Sequence, residues 1–197
     1  GTAGVAGKAA AVPPGPGLKM EISKVEIPAD NKPVVTFKLT DAKGNPVKAT
    51  DLDAGSLRFT IAKVVTDKDT NLSRYENYIV NDVKGAEYTV KGEKKQPTLA
   101  TAKQVSLDPA TGKLSETDTG FTYVFTTTLP ANFDKSASHV VGGQATRNSR
   151  EFVANALFSF VPGGGTPTTR EVVKTESCNQ CHDPLAAHGG SRRDTRL

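Results

Sequence analysis

Apolar side chains recur at every second position along most of this chain, and that period limits what it can fold into. Val35, Phe37 and Leu39 alternate with Thr36 and Lys38, and Leu57, Phe59 and Ile61 with Arg58 and Thr60. Phe121, Tyr123 and Phe125 again share one parity, as do Phe152, Phe158 and Phe160. Successive side chains of a strand point to opposite faces, so each run buries one face on a core. Shorter strands are expected over residues 20–27, 75–80, 86–90 and 138–146. Residues 41–46 (DAKGNP) and 108–113 (DPATGK) supply turns, with glycine available for positive φ and proline to stop a ladder. Strands at this spacing predict a mainly β domain, a Greek-key or Ig-like β-sandwich or a split barrel.

The 197 residues suit one domain with a small appendage. Residues 1–17 (GTAGVAGKAAAVPPGPG) carry almost nothing to bury and read as a flexible tether. The β domain is expected over 18–162 and a Gly/Pro/Thr linker over 163–170, leaving a tail at 171–197. No run of ten or more residues has helical periodicity, and no Gly-rich loop joins a strand to a helix, which excludes a nucleotide-binding α/β fold. The one helix turn expected is DPLAAH at 183–188, with Asp as cap and Pro in the first turn. A net charge of +4, in mixed signs along the chain, does not imply nucleic acid. The longest mostly apolar stretch, 152–161, includes Asn155 and Ser159. A membrane-spanning helix needs about 20 apolar residues, so none is expected. No apolar leader with a cleavage site opens the chain, which leaves a cytosolic protein or a mature exported one.

Both cysteines fall in Cys178-Asn179-Gln180-Cys181-His182. Cys-X-X-Cys-His is the attachment signature of c-type haem. Two thiols three residues apart reach the vinyl groups on one edge of a porphyrin, and the next residue offers an imidazole to the iron. His182 is thus the proximal iron ligand, with Cys178 and Cys181 as thioether donors. A structural zinc site wants four N or S ligands, and only Cys178, Cys181, His182 and His188 are within reach. A redox dithiol wants this spacing at a helix start in a βαβ setting, whereas here it follows a Gly/Pro linker.

For the sixth iron position the candidates are His188, His139 and Met20. His188 lies so close to His182 in sequence that it can serve a neighbouring haem instead of this one. His139 sits in a strand-like context and Met20 in an apolar alternation, so both read as structural. Arg192 and Arg193, in a basic run with Arg196, are candidates to pair with haem propionates. Thioether attachment occurs outside the bacterial cytoplasm, so the haem reading carries export with it.

Residues 176–197, ESCNQCHDPLAAHGGSRRDTRL, resemble the first haem segment of the OmcA/MtrC-type outer-membrane multihaem cytochromes. In that family a Cys-X-X-Cys-His is followed by Leu-X-X-His-Gly-Gly-X-Arg and then, within a few residues, by a second haem motif. Cys178, Cys181, His182, Leu185, His188, Gly189, Gly190 and Arg192 match. The body is similar more loosely, through Arg147-Asn148, residues 152–156 and the Phe158 to Pro162 stretch.

The resemblance implies the N-terminal β domain and first haem segment of a longer cytochrome. It implies haem c, an electron carrier and not an enzyme in the usual sense, and bis-histidine haems passing electrons to metal oxides, flavins or partner cytochromes. Its implied partners are neighbouring haems or cytochromes and an outer-membrane porin–cytochrome conduit, at the bacterial cell surface, outside the cell or in the periplasm. His188 is carried over by position as distal ligand of this or a neighbouring haem. The alternative is an extracellular β-sandwich binding or spacer module whose Cys-X-X-Cys tail is closed by a disulfide or binds another metal.

Overall fold

The computed structural model describes residues 13–197 except 99, 110, 171, 172 and 183. Its strands are β1 (Lys19–Glu26), β2 (Val34–Thr40), β3 (Arg58–Thr66), β4 (Ser73–Asn77), β5 (Val80–Lys84), β6 (Tyr88–Val90), β7 (Glu93–Lys95), β8 (Thr101–Val105), β9 (Lys113–Thr117), β10 (Gly120–Val124), β11 (His139–Arg147) and β12 (Phe152–Phe160). One antiparallel sheet has the order β1-β2-β10-β9 and a second the order β12-β11-β3-β4. They stack as a β-sandwich and do not close into a barrel.

The alternating residues meet between the sheets. Phe37 of β2 and Phe59 of β3 pack edge-on with ring centroids 5.2 Å apart, and Phe59 lies 4.9 Å from Tyr123 of β10. In β1 the register shifts between Ile22 and Lys24, so the buried set moves from Met20 and Ile22 to Val25. Met20 packs in this core, and a Cβ on Gly143 of β11 would stand 2.6 Å from its sulfur and 2.8 Å from the Phe59 ring. That close approach is why the inner face of β11 carries a glycine.

Several elements differ from their expected form. Residues 75–80 belong to two strands in different sheets. Tyr78 turns its ring onto His139, with a hydroxyl-to-Nε2 distance of 2.8 Å, and the chain leaves the sandwich there. It forms an exposed ribbon, β5 with β8 and β6 with β7, within which the expected strand at 86–90 shortens to Tyr88–Val90. At the 41–46 turn Gly44 takes φ 88°, as expected. Gly112 of the second turn does not adopt positive φ; a Cβ there would collide with the Tyr123 ring.

The tether read over 1–17 lies outside the described residues up to residue 12. Beyond it, the Gly15 amide donates to Asp41 Oδ2 at 2.7 Å and the Ala42 amide to the Pro16 carbonyl at 2.9 Å. The linker is likewise laid against the body. The Gly163 amide donates to the Lys135 carbonyl at 2.7 Å, and the Thr168 amide to Ser138 Oγ at 2.7 Å.

Candidate haem-attachment site

Every residue of β11 is buried, on both faces, although only one face meets the core. Odd-numbered Val141 and Ala145 belong to that core. Even-numbered Val140, Gly142 and Gln144 point to the opposite side, where they lie under the tail. A Cβ on Gly142 would run into the Leu197 side chain. The Cys-X-X-Cys-His motif therefore sits on a strip of chain packed over the outer face of the second sheet.

Within the tail a helical turn, α1 (Thr175–Cys178), leads into the motif. It forms ahead of the helix turn expected at 183–188, of which Asp183 lies outside the described residues. After His182 the Leu185 amide is taken by Asn179 Oδ1 at 2.8 Å. That bond folds the chain back on α1 in place of starting a helix. The Cys178 carbonyl accepts from the Cys181 amide at 3.2 Å and from the His182 amide at 3.1 Å. The backbone thus coils through the motif, with His182 one turn beyond Cys178. Cys178 is half-buried, Cys181 and His182 are exposed, and both thiols are free.

This arrangement fits a covalently held haem, because both thiols and the imidazole are accessible from outside. Among the described residues no three His, Cys, Asp or Glu side chains converge on one point.

His188 stands in a tight hairpin. Ala187 and Arg192 form an antiparallel bridge, and His188, Gly189 and Gly190 between them have φ of 50°, 70° and 87°. Three consecutive left-handed residues aim the chain sharply, and one of them carries the imidazole. His188 is exposed, as is His182. The segment closes on itself at its base, where the Thr195 amide donates to Thr175 Oγ1 at 3.1 Å and Thr195 Oγ1 donates to the Val173 carbonyl at 3.0 Å.

The arginines divide in role. Arg192 Nε donates to Gln144 Oε1 at 3.3 Å. Burial, and then the nearby Arg58 guanidinium, lower the Arg192 pKa. Arg193 anchors through its backbone amide, 2.7 Å from Asn155 Oδ1. Among the described residues, Nε of both Arg193 and Arg58 is buried without a hydrogen-bond partner. The Arg147 Nε, away from this cluster, is buried without a partner as well. Arg196 differs, since it forks onto Asp194 at 2.9 and 3.0 Å.

His139 is fully buried, its Nδ1 2.8 Å from the Ala137 carbonyl, and it is part of the sandwich as expected. Sequence reasoning overlooked Arg58, Gln144 and Asn155. Register places Arg58, Gln144 and Asn155 side by side across β3, β11 and β12. Asn155 Nδ2 also donates to the Ser191 carbonyl at 3.0 Å. The available signal was two amide side chains at paired positions in strands otherwise dominated by small and apolar residues.

No family model and no curated protein matches the chain. Solved structures do. The chain aligns with the outer-membrane decahaem cytochrome OmcA over 91% of its own length at 24% identity, with a TM-score of 0.72. With MtrC from Shewanella baltica the figures are 90%, 22% and 0.61. It spans 28% of each of those chains. The sandwich and its overlying tail thus share the fold of part of OmcA and part of MtrC, the two proteins that typify the group its tail sequence resembles.

Proposed function

We propose that this chain carries haem c and transfers electrons, as one portion of an extracellular multihaem cytochrome. The observation that carries the reading is a Cys-X-X-Cys-His with free, accessible thiols, on a tail packed over a sandwich folded like part of an outer-membrane decahaem cytochrome. Cys178 and Cys181 each add across a porphyrin vinyl group. The S–H bond breaks, a C–S bond forms and the hydrogen goes to the other vinyl carbon, with no net redox change. His182 holds the iron on one side. His188 supplies the distal ligand to this or a neighbouring haem, and Arg192 and Arg193 pair with propionates. Bound there, haem supplies a one-electron carrier. Where His188 served the same iron as His182, the two imidazoles together would suit that iron to electron transfer.

The electrons pass to partner cytochromes, flavins or metal oxides at the cell surface, beside an outer-membrane porin–cytochrome conduit. Among the described residues no helix is long and apolar enough to cross a membrane.

The intact mass of the chain, made where cytochrome maturation operates, should include one haem. Dithionite should give sharp α and β bands, and the colour should survive acid–acetone extraction. A colourless chain with a disulfide or two free thiols would remove the haem reading and favour the binding or spacer module. His188→Ala should move a haem from low to high spin; an unaltered spectrum in the complete protein would strike His188 from the site.

A further inference from the structure

The hairpin bearing His188 is gripped by the sandwich. Asn155 brackets the chain just beyond it, donating to the Ser191 carbonyl at 3.0 Å and accepting from the Arg193 amide at 2.7 Å. A carboxamide is suited to this, because it offers a donor and an acceptor together as a peptide group does. Gln144, directly opposite on β11, receives Arg192 Nε between those two contacts. On the far side of the turn, Arg150 Nη1 reaches the Gly189 carbonyl at 3.4 Å. Ser191 Oγ closes the hairpin internally by donating to the His188 carbonyl at 3.0 Å. A non-glycine residue keeps a left-handed conformation only where its surroundings over-determine it; at His188 the hairpin's own bonds do so, and the two strands hold that hairpin through Ser191, Arg192 and Arg193.

We infer that Asn155, with Gln144, is a positioning residue for His188: the β11–β12 pair holds the 187–193 hairpin in one orientation, and through it the direction from which His188 approaches iron. Neither amide touches the haem. The β domain then acts as a template for axial geometry and not merely as a spacer. The axial part of this inference rests on the haem reading above; the docking of the hairpin does not.

Backbone hydrogen exchange of this chain and electron paramagnetic resonance of the complete haem-loaded protein test it. In Asn155→Ala, the amides of Ala187, Arg192 and Arg193 should exchange about tenfold faster while those of β2, β3 and β10 keep their rates, since two hydrogen bonds are lost locally. The low-spin g-values should shift or broaden, a change that a purely structural role would not bring about. Gln144→Ala should act in the same direction more weakly. Asn155→Asp keeps the acceptor for Arg193 and should fall between wild type and alanine, and it carries the test if the alanine variant does not fold. Tail amides that exchange at wild-type rates, or g-values unaltered in all three variants, would overturn the inference. A colourless chain with accelerated tail exchange would sink the haem reading while leaving the docking contact standing.

Discussion

In the sandwich Phe37, Phe59 and Phe125 are all but inaccessible to water, whereas no described residue of the tail from 173 to 197 is buried to that degree. The sandwich is ordered by apolar surface removed from water, which is non-directional and large in sum. The tail has no core of its own and is ordered by directed bonds to a prepared surface. A segment of this kind gains its register from Asn155 and Gln144, and in the proposed function its remaining cohesion from the haem. Burial thus fixes the scaffold, and polar pairing fixes where the chemistry sits on it.

Substitutions should separate the two regimes. Phe59→Ala should cost about 3–5 kcal/mol of stability by urea unfolding, with haem still attached at Cys178 and Cys181 in the folded fraction; an unchanged midpoint would refute the core assignment. Gly143→Ala pushes a methyl against the Met20 sulfur and the Phe59 ring. It should cost about 1–3 kcal/mol by overpacking, and a neutral result would mean that the inner face is looser than described.

The sandwich should show a pH response with two limbs. His139 has its pKa lowered from 6.5, chiefly by burial, with its Ala137 hydrogen bond and Asp134 opposing that and Lys63 adding to it. The folded state then binds fewer protons than the unfolded chain, so stability present above pH 6.5 declines as the pH falls below it. Asp41 and Asp53 respond at lower pH. Each is held below its ordinary 3.8, first by the side-chain hydrogen bond from Asn45 or Thr146 respectively. Their contribution is present above that value and lost as acid protonates them. Urea midpoints should therefore fall from pH 7 to 5 and again towards pH 3, with His139→Phe flattening the first limb; a flat profile in the parent chain contradicts both.

The smallest effect belongs to the tail. Gly189→Ala meets φ 70° and Arg150 Nη1 at 3.1 Å. It should cost about 1 kcal/mol of local order, seen as faster exchange at Gly190 and Arg192 with no change in the global midpoint. A lowered global midpoint would mean that the tail and sandwich unfold as one unit.

Where a strand has one dry and one wet face, as in Val35–Leu39 and Phe59–Ile61, its side-chain parity could be read from sequence. β11 was harder. Covered on both sides, it shows no alternation, so Gln144 looked like any strand residue, and Asn155, its partner across the register, stood out only as a polar break in an apolar stretch. β7, β8 and β9 escaped for the opposite reason: Glu93–Lys95, Thr101–Val105 and Lys113–Thr117 are mostly exposed and need no apolar pattern. The Cys-X-X-Cys-His motif is visible in sequence because its spacing is local and does not depend on the fold. What spacing could not say is which surface receives the hairpin, since that depends on contacts from Gln144 to a residue 48 positions away and from Asn155 to residues 36 and 38 positions away.

The meeting of Thr175 and Thr195 has a consequence for variation. Between those threonines only the part beyond the hairpin held by Asn155 and Gln144, residues 176–186, can lengthen, shorten or change its sequence while the chain enters and departs at the same place. The strands beneath need not shift to accommodate such a change. Diversity in that part is thereby uncoupled from the architecture that supports it.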